Sequence, residues 1–238
     1  MGTLKRPFFS AGLLLALCMS PPVLAAPVLD TPEAGNGQAL ENVSGDAALD
    51  VRGYWRLDGN LGDSSAWNNP AQLRPARYVS GRSGQALALS GRTVAMVPYD
   101  ESLRMDFGLS LDLWIKLNSY GQEATLIGSG SALKEDSNWS LGFSQGSLSM
   151  QYRTANGSLG VLSVAESRLP LNTWVHVGAW VSLAEGEVGL VVHTDSMIAS
   201  LTQASVATGK LSTSALDLML GENFKGSLDE VKLTVLEP

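Results

Sequence analysis

The sequence predicts an all-β protein built from two packed antiparallel sheets. Three observations carry this. Short runs rich in Val, Leu and aromatic residues recur between clusters of Gly, Asn, Asp and Ser. Residues 109–116 alternate without a break, with Leu109, Leu111, Leu113 and Ile115 on one face and Ser110, Asp112, Trp114 and Lys116 on the other. Finally, no amphipathic helical period of useful length can be traced after residue 51. A chain of 238 residues with 25 glycines suits one turn-rich domain of this kind.

The expected strands run in order. Residues 51–57 form the first, followed by a long loop through Asp63, Trp67 and Asn69. Residues 85–89 and 93–97 are separated by Ser90-Gly91-Arg92, a spacing that suits a hairpin. The alternating strand 109–116 comes next, then 125–128, 139–144, 147–153 and 160–164. Residues 174–181 open on Trp174 after the turn signals Pro170 and Asn172, and 189–193, 197–201, 216–220 and 228–235 complete the set. So many short strands pack best as two sheets face to face.

Upstream, Lys5 and Arg6 precede an apolar run at 11–17, and Pro21-Pro22 lead into Val23-Leu24-Ala25. This is the pattern of a secretory signal peptide cleaved after Ala25, which places the mature protein in the periplasm or outside the cell. The apolar run is too short to span about 30 Å of hydrocarbon, so no membrane span remains after cleavage. Residues 26–50 are rich in Pro, Gly, Ala and acid with no apolar period, and read as a flexible leader to a domain spanning 51–238. The single cysteine, Cys18, falls within the signal segment. The mature chain therefore has no disulfide, thiol nucleophile or thiolate metal site, and a bacterial origin fits better than a disulfide-bonded extracellular module.

Removing Lys5 and Arg6 from 16 basic residues leaves 14 against 23 acidic ones. With no basic stripe to neutralise phosphates, nucleic acid is excluded as a partner. Catalytic signatures are missing too. Asp229 and Glu230 are adjacent in an expected strand, so their side chains should point to opposite faces and not share a substrate. His176 lies between Val175 and Val177 and is expected to pack or hydrogen-bond, while His193 is expected to face solvent near a hairpin.

Several segments, in order, resemble one family. Tyr54-Trp55-Arg56-Leu57-Asp58 is an aromatic strand ending in Leu-Asp, and Asp63-Ser64-Ser65 follows in its loop. Gly81-Arg82-Ser83-Gly84-Gln85-Ala86-Leu87 is a Gly-x-x-Gly-x-Ala-Leu turn and strand. Val97-Pro98, Ser102-Leu103, Leu111-Asp112-Leu113-Trp114-Ile115-Lys116, the Trp174 strand and Leu228-Asp229-Glu230-Val231 complete the series. Together they resemble the laminin-G-like (concanavalin A-like, pentraxin-related) jelly-roll domains of bacterial secreted proteins. The sequence departs from that pattern at Ala66-Trp67-Asn68-Asn69-Pro70 and at His193-Thr194-Asp195-Ser196.

The resemblance implies a two-sheet antiparallel jelly-roll sandwich and a non-enzymatic binding module. The related glycanases carry a Glu-x-Asp-x-x-Glu strand, which does not occur here. Carbohydrate is the implied ligand class, with a protein–protein or cell-envelope assembly role as the alternative and a glycan-active enzyme third. A structural calcium ion is also implied, with Asp58, Asp63 and Asp229 as candidate ligands where the first and last strands meet. The competing reading has these carboxylates capping turns and bonding neighbouring loops. For a sugar platform the candidates are Trp67, Tyr120 and Trp139, in or beside polar loops, and Trp114, on the polar face of its strand. Trp55, Trp174 and Trp180 are expected in the core. The first prediction is that the exported protein begins at Ala26, which intact-mass measurement would read directly; retention of residues 1–25 in that fraction would overturn it.

Overall fold

The structure is a computed structural model that describes residues 50–194 and 197–238, so the expected signal segment and leader lie outside the described residues. Fourteen strands are present in it: β1 (Val51–Trp55), β2 (Tyr78–Ser80), β3 (Gln85–Ser90), β4 (Ala95–Val97), β5 (Gly108–Leu117), β6 (Ala124–Ser131) and β7 (Asp136–Ser144). The second half contributes β8 (Ser147–Arg153), β9 (Leu159–Ala165), β10 (Trp174–Ser182), β11 (Glu187–Thr194), β12 (Met197–Ser205), β13 (Leu218–Glu222) and β14 (Lys225–Val235).

They form two antiparallel sheets, as the alternation in β5 requires. One has eight strands in the order β12-β11-β10-β5-β14-β3-β2, with β1 also paired to β14; the other has six, β4-β13-β6-β7-β8-β9. Between them lies one apolar core. Leu109, Leu111, Leu113 and Ile115 of β5 meet Trp139, Leu141 and Phe143 of β7 and Leu148 and Met150 of β8 within it. Among the described residues no helix is long and apolar enough to cross a membrane.

Strand β14 holds the eight-stranded sheet together because it has three partners. Along one edge it pairs with β5. On the other it pairs first with β3, through residues 225–228, and then with β1, through residues 231–234. The change of partner coincides with a bulge at Asp229–Glu230, where Glu230 takes φ of 51°.

Two sequence expectations change. Residues 85–89 and 93–97 do not form a hairpin: β3 lies in the eight-stranded sheet and β4 pairs with β13 in the six-stranded one. The chain passes between the sheets at Gly91, whose φ of 77° a side chain would resist. The true hairpin is β2–β3, closed by the Gly81 amide donating to the Gly84 carbonyl at 3.0 Å. β2 itself was not foreseen, being only three residues long.

Trp139 is also corrected. It does not line a surface platform; it is 2% exposed and belongs to the core, since Trp139, Leu141 and Phe143 alternate inward along β7. Replacing Trp139 with Ala should therefore cost about 3–5 kcal/mol in chemical denaturation. A loss below about 1 kcal/mol would contradict its core placement.

Candidate ligand-binding groove

The two outer faces of the sandwich differ in chemistry. On the eight-stranded sheet, Trp114 is cross-strand to His176, and His176 to His193, so that an indole and the chain's two imidazoles form one row. The imidazole centroids lie 4.5 Å apart and both rings pack on Trp114. His176 Nε2 is 2.9 Å from Asp112 Oδ1, so this histidine packs and hydrogen-bonds as expected. His193 is half-buried in the row, and not simply a solvent-facing hairpin residue.

The same face corrects two more residues. Trp174 and Trp180 are half-buried on the outside and not in the core, because Val175, Val177, Ala179 and Val181 take the inward positions of β10. Trp180 lies flat across Gly189, where an added Cβ would come within 1.9 Å of the indole. Cations cover the other rings. Arg82 sits 4.6 Å over Trp114 and Lys116 4.8 Å over Trp174, while in its own loop Trp67 carries Arg52 at 4.4 Å. Tyr120 stays exposed and donates its hydroxyl to the Leu169 carbonyl at 2.6 Å. The four proposed aromatic residues are thus not brought together: Trp67 and Tyr120 occupy different loops, Trp114 the eight-stranded face, and Trp139 the core.

The candidate calcium ligands are engaged by the protein itself. Asp63 Oδ1 accepts the amides of Tyr54 and Ser65, and its Oδ2 accepts the Ser65 hydroxyl and the Asn69 amide, all at 2.7–2.8 Å. Asp58 accepts the Gln85 amide at 2.7 Å and lies 3.3 Å from Arg56. Asp229 Oδ2 accepts the amides of Arg82 and Ser83 at 2.7 and 3.0 Å, while its Oδ1 is buried without a partner. Among the described residues no three His, Cys, Asp or Glu side chains gather as a metal site needs. These three carboxylates hold turns and do not fit a shared calcium ion.

The bulge also alters the expected separation of Asp229 and Glu230. Glu230 accepts a hydrogen bond from the Tyr54 hydroxyl on the outer face, the side to which Asp229 also points. Burial is the main cause raising the Asp229 carboxyl from 3.8 to about 6, and the nearby Glu230 adds to it against the two amide hydrogen bonds.

The outer face of the six-stranded sheet is different. Its middle strands present small side chains outward: Thr125 on β6, Ser140, Gly142 and Ser144 on β7, and Gln151 on β8. Gly142 is required there, since a Cβ would approach the Ala124 carbonyl oxygen to 2.2 Å. The connection from β6 to β7 makes a single 3₁₀ turn (Ala132–Lys134) and ends on Glu135 in the left-handed conformation. Glu222 of β13 accepts the Ser131 hydroxyl at 2.9 Å beside that turn. The result is an open groove of about 330 Å³, with Thr125, Ser140, Gly142 and Gln151 in its lining and Leu133, Glu135 and Glu123 around it. Two carboxylates and no cation border it. The one aromatic in its lining, Phe143, is buried, so no exposed aromatic marks this site in the sequence; the Ser- and Gly-rich run 124–131 is the only signal of it there.

The fold and groove can be set beside known proteins. The family model for the concanavalin A-like lectin/glucanases superfamily matches residues 90–235. The chain belongs to this superfamily. Among solved structures, domain 4 of AbnA, a GH43 extracellular arabinanase from Geobacillus stearothermophilus in complex with arabinotriose, is similar over 79% of this chain and 93% of that one, with 19% identity and a TM-score of 0.59. The binding domain of Paraclostridial Mosquitocidal Protein 1 is similar over 79% of this chain and 50% of that one, at 14% identity and a TM-score of 0.60. The binding domain of Botulinum neurotoxin DC, in complex with rat synaptotagmin II, matches over 79% and 49%, at 16% identity and a TM-score of 0.56. This superfamily chain thus spans about half of those toxin binding domains. At such identities the likeness is one of fold, and it is shared with binding domains. None of the curated protein sequences compared with the chain matches it.

The buried Asp229 makes a pH prediction. Its folded-state value lies above the ordinary 3.8, so the folded protein binds this proton more tightly than the unfolded chain does. That contribution is fully present below about pH 4 and is lost as pH rises through about 6, amounting to roughly 3 kcal/mol at most. Asp229→Asn, which keeps an acceptor for the two amides, should therefore gain stability relative to wild type as pH rises from about 4 to 7. Parallel denaturant curves at several pH values would contradict the assignment if the difference between the two proteins stayed constant.

Proposed function

We propose that this protein is an exported, non-catalytic module that binds a neutral carbohydrate chain in the groove over β6, β7 and β8. The observation that carries the reading is the groove's lining. Ser144, Gln151 and the carboxylates of Glu123 and Glu135 line one open channel, with the buried Thr125 and Ser140 at its floor. Such groups exchange hydrogen bonds with sugar hydroxyls in both directions. Gly142 leaves the backbone open to close approach, and Leu133 offers an apolar surface at the rim. Two carboxylates with no lining cation disfavour an acidic saccharide.

The arabinotriose complex of the similar arabinanase domain supports the ligand class. Neither calcium nor the cation-covered Trp114 and Trp67 has a part in this reading. The module is non-catalytic in it because the Glu-x-Asp-x-x-Glu strand of the related glycanases does not occur in the sequence.

A glycan array followed by titration calorimetry tests the proposal. Gln151→Ala and Glu135→Gln should each weaken binding by about 3- to 10-fold, the cost of one hydrogen bond, while Trp67→Ala leaves affinity unchanged. Equal signal across all glycans, or insensitivity to the groove variants, would sink the carbohydrate reading. Release of new reducing ends from a polysaccharide would overturn the non-catalytic part.

A further inference from the structure

Beyond the aromatic row, the half of the eight-stranded sheet formed by β14, β3 and β2 gathers cations on its outer face. Residues opposite one another in adjacent antiparallel strands share a face. The register sets Lys116 of β5 opposite Ser227 of β14, and Ser227 opposite Ala88 of β3. Arg77 immediately precedes β2, and its carbonyl accepts the Ala88 amide at 2.9 Å, so it ends the same row. Ala76 and Tyr78 on either side of it pack against the core, which turns Arg77 outward. In the next row Lys225 lies opposite Ser90, its stem against Gly91, where an added Cβ would come within 2.8 Å of Lys225 Cγ.

Arg77 and Lys225 are exposed, and Lys116 is half-buried with its ammonium 4.8 Å over the Trp174 ring. None of the three forms an ion pair among the described residues. They stay unpaired although acidic residues outnumber basic ones by 23 to 16. The cause is local: residues 64–99, which supply β2, β3 and the segments around them, contain four arginines and no Asp or Glu. The next outward carboxylate on β14, Asp229, is fully buried and already accepts two amides of the 81–84 turn.

We infer that this row binds an acidic polysaccharide, a chain of sugars bearing carboxylates or sulfates, laid across β5, β14, β3 and β2. Charge complementarity selects an anion, and spacing selects a polymer. Three strand spacings separate Lys116 from Arg77, about 14 Å, and Lys225 lies about 7 Å along the strand from that row. One carboxylate or sulfate cannot reach all three cations, whereas a chain of repeated charges can. A bilayer fits poorly, because Val79 is the one exposed large hydrophobic residue on β2 and β3. A wide anionic surface would also repel the rest of a body carrying −7, which a thin chain avoids. The sugar component is favoured by Tyr120. Asn118 and Gln122 both hydrogen-bond the Lys225 backbone, so the loop between them brings the exposed Tyr120 to this end of the site as a ring face for a pyranose.

The test is binding of the exported chain to polygalacturonate and to dextran sulfate, followed by interferometry as salt is raised. Affinity for at least one should fall steeply with salt, and the tighter of the two names the acidic group. Arg77→Glu and Lys225→Glu, both at exposed positions, should each weaken binding about 10-fold or more with unchanged melting curves. Arg168→Glu makes the same change of net charge at an exposed position after β9 and should leave affinity nearly unchanged. Tyr120→Ala should weaken binding to the sugar chains and not to inorganic polyphosphate. The inference is overturned by no binding to either acidic chain at low salt, by an equal loss in Arg168→Glu, or by tighter binding to polyphosphate or phosphatidylglycerol vesicles. This site lies on the other outer face from the neutral-carbohydrate groove, so the two proposals fail separately: Gln151→Ala should leave acidic-chain binding intact, and Arg77→Glu should leave neutral-glycan binding intact.

Discussion

The eight-stranded sheet depends on one buried carboxylate. Asp229 sits where β14 leaves β3 and takes up β1, and it closes that junction by accepting the amides of Arg82 and Ser83. The turn it holds leads directly into β3 and brings Arg82 over Trp114. An added Cβ at Gly81 would come within 2.6 Å of this carboxylate, which explains why the turn opens on glycine. Burial disfavours the charge, and the two amides offset only part of that cost. The junction is therefore both the organising point of the sheet and the place where its stability responds to pH.

From that point the two outer faces part company. The eight-stranded face is closed by its own side chains: cations cover Trp114 and Trp174, an indole lies on Gly189, and the two imidazoles fill the row between. The six-stranded face carries only Ser, Thr, Gly and Gln outward from β6, β7 and β8, with no large side chain laid across them. Only the 3₁₀ turn before Glu135 rises over it, and that turn converts a flat surface into a groove. A ligand meets fewer occupied partners there, which is why the groove and not the aromatic row carries the functional reading.

Much of this was legible in the residues. Alternation in β5 assigned Trp114 to the outer face, and the superfamily followed from ordered segments whose individual signals are slight. Alternation carries the same information on Trp139, Trp174 and Trp180, where the size of the indole and a nearby polar loop point the other way. In Trp174-Val175-His176-Val177 the valines already mark the inward set, so both tryptophans of that strand had to face outward. The groove could not be read the same way. It arises from where one short connection folds over a sheet of small residues, and small residues leave no hydrophobic pattern to follow. The bulge that turned Glu230 to the side of Asp229 is equally silent, because an extra residue in one strand is defined by its partner.

The three carboxylates implied as calcium ligands each hold a separate piece of the rim. Asp63 fixes the loop after β1 through four donors, and that loop in turn presents the Asn69 carbonyl to the buried Trp55 indole at 2.8 Å. Asp58 and Asp229 grip the 81–84 turn from its two ends, through Gln85 and through Arg82 with Ser83. A cation holds such loops by drawing several oxygens to one centre; here backbone amides are drawn to several separate carboxylates. The amides are fixed by the fold and cannot be removed by a chelator. The 81–84 turn is thus held by the chain's own carboxylates, and what loosens it is the deprotonation of Asp229 as pH rises.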